Sequence, residues 1–326
     1  MTISLALPFC GRDSCICVCF KDSLFLVNNM ELEFLEDELP IGRMVRDKTA
    51  VFNKSDANLL KRYRMPRPLL LELCHELEPV LGAQERDTDL PVSIRLAAAL
   101  RVYAEGNFQR VSGDLAGISQ PSVSRAVAQV SAAIISTKLN MIAFPTTAQD
   151  RATTKAKFAD KFGFPNVLGA IDGTHVAIKS PTINEHLYVN RHQRHSINVQ
   201  AVCDANMLFT DVVAKFPGST HDSYMFASSA IGRKMEQSGG AEGYLLGDSG
   251  YPLRPWMITP FDQAAANIPE KAAFNRIHSK TRGVIERSFG ILKSRFRLVA
   301  VHNSNYMRYA TIAWVGDLTP PFFHSF

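Results

Sequence analysis

Three strand-like runs follow one another between Val167 and Gly218, and they restrict this chain more than any other feature in it. They read VLGAIDGTHVAIKSP, SINVQAVCD and LFTDVVAKFPG, with alternation clearest at Ile197, Val199, Ala201 and Cys203. A period of two sends successive side chains to opposite faces, so these runs predict strands rather than helices. A helix is expected next, from about Ser223 to Gln237. After it come a short buried strand at Tyr244-Leu245-Leu246, a proline-rich loop and a long helix from about Thr281 to Phe296.

Upstream the period is helical. Residues 57–81 predict helices broken around Pro66 and Pro68, because proline removes a helix donor and disfavours helix in the residue before it. Between Ser93 and Leu139 the joint Ala116-Gly117-Ile118-Ser119 has the grammar of a helix-turn-helix. Gly117 permits the turn, Ile118 plugs the angle, Ser119 caps the next helix and Pro121 is tolerated in its first turn. The second helix would then expose Gln120, Ser122, Ser124 and Arg125 to a DNA groove, although plain helical packing satisfies the same pattern.

Three strands, a helix, a strand and a later helix is the element order of an RNase H-like fold. The fold class expected is therefore α/β, an RNase H-like mixed sheet with flanking helices, preceded by an α-helical helix-turn-helix region. The organisation expected is a poorly ordered leader over 1–40, the helical region over 41–145, the sheet domain over 146–300 and a divergent tail over 301–326. Four of the six cysteines, Cys10, Cys15, Cys17 and Cys19, crowd into the leader without the C-x2-C pairs of a zinc site, so neither a metal knuckle nor a disulfide framework is expected. Charged residues interrupt the apolar stretches before roughly 18 residues accumulate, which predicts a soluble intracellular protein. A formal charge of +5 suits a polyanionic partner without demanding one.

The placement of acids sharpens this reading. Asp172 follows the apolar run Val167–Ile171 and precedes Gly173, while Asp248 ends the short strand in LLGDSGY between Gly247 and Gly250. Glu286 belongs to TRGVIERSFGILKSRFRL, whose apolar stripe is Ile285, Phe289, Leu292 and Phe296. Arg282, Glu286, Lys293 and Arg297 differ by four, seven and four positions and are expected on one helix face. That face is either an ion-pair ladder or a metal-binding carboxylate beside a phosphate track. Three carboxylates from two strands and a helix supply the hard oxygen ligands that Mg²⁺ or Mn²⁺ requires.

The blocks GAIDGTHVAIKSP, YVNRHQRHSINVQAVCD, FPGSTHDSYMF, LLGDSGYP and VIERSFGILKSRF resemble, in order, the motifs of the DDE domain of PIF/Harbinger transposases and the nucleases domesticated from them. GNFQ and GISQPSVSRAV upstream are similar to the same family. The resemblance runs from about Pro165 to Arg297, and the tail LVAVHNSNYMRYATIAWVGDLTPPFFHSF departs from it.

What the resemblance implies is a divalent-metal-dependent DNA endonuclease with Asp172, Asp248 and Glu286 as catalytic and metal-binding triad. Asp222 is the alternative middle acid, and with His221 it is expected as a helix cap or as an outer contact of the ligands. Lys179, Arg191, Arg194, Lys293, Arg295 and Arg297 are candidates for holding phosphates, beside Arg125. The resemblance further implies a Myb-like DNA-binding partner and residence in nucleus and cytoplasm. The competing expectation is a catalytically silent DNA-binding or adaptor protein that kept the fold.

Overall fold

The structure is a computed structural model, and it describes residues 15–20, 23–28, 50–82, 90–106, 117–262, 264 and 267–299. Met1–Arg46 and Asp47–Phe326 form two compact units. In the first, β1 (Cys15–Phe20) and β2 (Ser23–Asn28) pair antiparallel with Phe20 opposite Ser23. This hairpin stands where composition predicts a poorly ordered leader. CICVCF and SLFLVN are rich in apolar and β-branched residues, and two residues between strands is the shortest common hairpin spacing.

The second unit begins with α1 (Asp56–Tyr63), α2 (Arg67–Leu81), α3 (Val92–Glu105) and α4 (Gln120–Lys138). Pro66 and Pro68 set the start of α2, as the sequence predicts. Leu59, Leu70, Leu77, Leu100, Val123, Val127 and Val130 pack these helices together, and the Tyr103 hydroxyl is 2.5 Å from Ser131 Oγ. Residues 107–116, where the first helix of the helix-turn-helix is expected, lie outside the described residues. Gly117 has φ +60°, and Ser119 Oγ accepts from the Ser122 N–H at 3.4 Å as a cap of α4.

After α5 (Ala148–Phe162), whose Thr147 and Asp150 form a capping box, the chain enters a five-stranded sheet. Its strands are β3 (Val167–Ala177), β4 (Ser196–Cys203), β5 (Phe209–Pro217), β6 (Tyr244–Leu246) and β7 (Met257–Ile258). Their order is β5-β4-β3-β6-β7, antiparallel from β5 to β3 and parallel from β3 to β7. This is the RNase H-like arrangement expected of the sequence. β7 falls in the stretch that reads as a proline-rich loop; two residues are too few to show a period.

Helices cover both faces. Ala170, Val199, Ala201 and Cys203 pack towards α8 (Pro269–Arg295) through Val284, Ile285, Phe289 and Leu292. Leu168, Ile171 and Val202 pack on the other face against Phe226 of α6 (Asp222–Ala227) and Ile231 and Met235 of α7 (Ala230–Ser238). The single helix expected over 223–237 is thus two helices, because Ser229 caps a new start by accepting from the Gly232 N–H at 2.9 Å. α8 begins twelve residues before its predicted start. Of its first twelve residues only His278 is buried, so those turns carry no apolar stripe to read.

Leu298 and Val299 share the buried core with α2, α3 and β3, so the core runs across the boundary drawn at residues 145 and 146. Among the described residues no helix is long and apolar enough to cross a membrane.

Candidate active site

The site grows from the parallel pairing of β3 with β6. Ala170 lies opposite Leu246, and Asp172 and Asp248 each follow two residues later, so the two carboxylates stand at the same level, one within β3 and the other just past β6. Because β6 stops at Leu246, the chain opposite Asp172 turns away, with the Tyr251 N–H donating to the Asp248 carbonyl at 3.2 Å. Asp248 Oδ1 accepts from the Gly250 N–H at 2.9 Å, which fixes the carboxylate against its own turn.

Asp222 reaches the same place from α6. A methyl group built on Gly173 would lie 2.5 Å from Asp222 Oδ1, so the missing side chain at 173 is what lets this third carboxylate sit beside the strand. Asn198 Nδ2 donates to Asp222 Oδ1 at 3.1 Å, and Gln200 Nε2 donates to the buried Tyr251 hydroxyl at 3.0 Å. Asp222 is therefore held by β4 and does not cap a helix; His221 occupies the N-cap position without a side-chain capping bond.

Charge confirms the crowding. Burial raises the Asp172 carboxyl to about 6, opposed by the Arg282 guanidinium and the Gly173 N–H and reinforced by Asp248 and Asp222. The Asp222 carboxyl is raised by burial, lowered by its Asn198 bond and raised by Asp248. Three carboxylates within one another's fields, in a partly buried position, have too little countercharge.

Glu286 stands apart from this trio. Arg282 Nη1 donates to Asp172 Oδ2 at 3.0 Å while Nη2 donates to Glu286 Oε1, so a guanidinium lies between the two carboxylates. Glu286 is 54% exposed. As they stand, no three Asp, Glu, His or Cys side chains among the described residues are gathered tightly enough to enclose an ion.

The donor set nevertheless fits a hard divalent cation. Besides the carboxylates, the buried oxygens Asn198 Oδ1 and Gln200 Oε1 have no hydrogen-bond partner among the described residues, an arrangement suited to an ion with its water shell.

The basic candidates divide. Lys293 Nζ donates to Thr174 Oγ1 at 2.5 Å, on the same strand as Asp172, and burial lowers its pKa. Arg191 is exposed, and its charge acts on both Asp222 and His175. Lys179 and Arg194 are exposed on the same 178–195 connection.

Arg295 is half-buried and feels the charge of Arg64, and the Arg297 backbone lies where a methyl on Gly106 would meet it at 3.1 Å, so this end of α8 packs beside the N-terminal helices while the Arg297 side chain is exposed. The shared face expected for Arg282, Glu286, Lys293 and Arg297 fails at Arg297, because α8 ends at Arg295.

Arg125 is exposed on α4, with Nη2 donating to Ser122 Oγ at 3.4 Å. Arg125→Ala should weaken binding to any duplex and reduce the slope of log affinity against log salt by about 1, as loss of one phosphate contact does. An unchanged salt titration would make α4 scaffold only.

Sequence reading passes over Asn198, Gln200 and Tyr251. The signal was present in β4, where Ser196, Asn198 and Gln200 alternate with the apolar residues and are all buried. A polar row buried in mid-sheet needs partners, and the acids' neighbourhood supplies them.

An RNase H-like sheet with one carboxylate in its first strand and another just past the end of its fourth defines a class of nucleases. The comparisons agree: residues 171–315 match the family of the DDE superfamily endonucleases, extending beyond Arg297 into the tail. The chain is 35% identical over 260 residues to the Bos taurus protein named "Putative nuclease HARBI1", covering 78% of this chain and 73% of that one. It is 33% identical over 260 residues to the Xenopus laevis protein of the same name, covering 78% and 74%. With an ALP1-like protein of Arabidopsis thaliana it shares 27% identity over 237 residues, covering 68% and 57%. No solved structure matches it. This chain belongs to the Harbinger-type family of DDE superfamily endonucleases.

Proposed function

We propose that this chain hydrolyses DNA phosphodiester bonds with Mg²⁺ or Mn²⁺ held by Asp172, Asp248 and Glu286, and that Asp222 joins that set. The observation that carries the reading is the convergence of Asp172 and Asp248 from adjacent parallel strands, with Asp222 laid over Gly173. When bound, such ions lower the pKa of an attacking water and stabilise the departing 3′ oxygen, leaving 5′ phosphate and 3′ hydroxyl ends. The protein's own groups orient and neutralise. Asn198 fixes Asp222, the Gly250 N–H fixes Asp248, and Arg191, Lys179, Arg194 and Lys293 offer positive charge to the phosphates. Descent from a transposase, a Myb-like partner that selects the DNA site, and residence in nucleus and cytoplasm belong to the same proposal.

Metal binding tests it. With the Asp172 carboxyl at about 6, Mg²⁺ affinity measured by calorimetry should fall about tenfold for each pH unit below that value and level off above it. In EDTA the sign of the stability effect is opposite to that of a salt-bridged acid. A folded-state pKa above the unfolded 3.8 means that the folded chain binds the proton more tightly, so its melting temperature should drop as pH rises from 3.8 to about 6. Asp211, raised by burial to about 6, adds to the same trend. A chain with no divalent-ion affinity at any pH would be the DNA-binding adaptor on this fold.

A further inference from the structure

Arg282 does something that the triad alone does not describe. Its side chain is 17% exposed, springs from the same helix as Glu286 one turn earlier, and bonds Asp172 and Glu286 with different nitrogens. A guanidinium is planar, permanently charged and forked, so it bridges two carboxylates in a way an ammonium does not. In an acidic cluster without metal it is the group that compensates Asp172.

We infer that Arg282 is an internal counter-cation that holds Asp172 and Glu286 across the site in the metal-free protein and must release them when a divalent ion enters. The inference deepens the metal-dependent reading and rests on it. Two positive species compete for the same carboxylate oxygens. Asp172 Oδ2 and Glu286 Oε1 are occupied by Arg282, so an ion that takes these two oxygens displaces the guanidinium. Once withdrawn, the guanidinium remains beside the cluster on a partly exposed helix face, where the phosphate of bound DNA is the available anion. The resting site is thereby kept assembled, since unpaired carboxylates in this cluster would repel one another. The consequence is that Arg282 lowers metal affinity in the absence of DNA and raises the affinity of the metal-loaded protein for DNA.

The experiment is calorimetric titration of the full chain with Mn²⁺ at alkaline pH, without DNA, for wild type and Arg282→Gln. Loss of the competing charge should tighten Mn²⁺ binding by about tenfold. The melting temperature in EDTA should fall for the variant, and the gap should narrow in saturating Mn²⁺, because the ion takes over the role of the guanidinium.

Should Arg282→Gln not fold, wild type still decides by arginine Nε–Hε NMR under Mg²⁺ titration, with the Arg282 signal assigned through Arg282→Lys. That resonance should shift as the ion binds and shift again when a short DNA duplex is added. Unchanged or weaker Mn²⁺ binding in the glutamine variant, or an Arg282 resonance indifferent to Mg²⁺, overturns the inference. Wild type that binds neither ion overturns the metal-dependent reading itself.

Discussion

Asp172→Asn should reduce Mg²⁺-dependent DNA cleavage by at least about 10²–10³-fold, the scale on which loss of one preorganised charge-stabilising group acts. Asparagine keeps the shape and can still accept from the Gly173 N–H, which donates to Asp172 Oδ1 at 2.8 Å. What it removes is the negative charge in the middle of the cluster, between Asp248, Asp222 and Arg282. DNA binding should persist or tighten as repulsion from phosphate falls. The fold should tolerate the change, because it relieves repulsion from Asp248 and Asp222 and leaves Arg282 bonded to Glu286. Cleavage and filter binding on DNA, with and without the proposed Myb-like partner, check both halves. Equal cleavage by variant and wild type would remove Asp172 from the site.

The second large effect is expected from a single methyl group. Gly173→Ala would place its Cβ 2.5 Å from Asp222 Oδ1, closer than real contacts allow, and 3.1 Å from Asp222 Cγ. The backbone at 173 lies in β3, paired with Gln200, so the strand is poorly free to retreat and the carboxylate must move. Moving it breaks the 3.1 Å bond from Asn198 and takes Asp222 away from Asp248. Misplacement by about 1 Å costs about 10²-fold in rate where catalysis depends on positioning, so cleavage should fall by that order while the thermal midpoint changes little. A crystal structure of the variant should show Asp222 rotated off the strand. Full activity would mean that Asp222 has no part in the chemistry.

Much of this fold is legible in the chain because its signals are local. Alternation at Ile197, Val199, Ala201 and Cys203 marks β4, and the proline pair at 66 and 68 marks the start of α2. The signals fail where burial is sparse or the element is short. The first turns of α8 cover little and so show no stripe, and β7 spans only Met257–Ile258. In the leader, composition points to disorder although two apolar runs with a two-residue spacing pair as a hairpin.

The sequence by itself determined the succession of the first four sheet strands along the chain, the placement of Asp172 in the first and Asp248 just past the fourth, and membership of the family through five ordered motifs. A strand period and a turn residue act over a few positions, so they can be read from the chain alone. Only the tertiary structure decided that Asp222, 50 residues beyond Asp172, leans over Gly173 and is held by Asn198. It also decided that Arg282 lies between Asp172 and Glu286, and that Arg295 lies within the field of Arg64. Those outcomes depend on how two helices pack on opposite faces of one sheet. Packing is settled by the shape of buried surfaces far apart in the chain, and no local period records it.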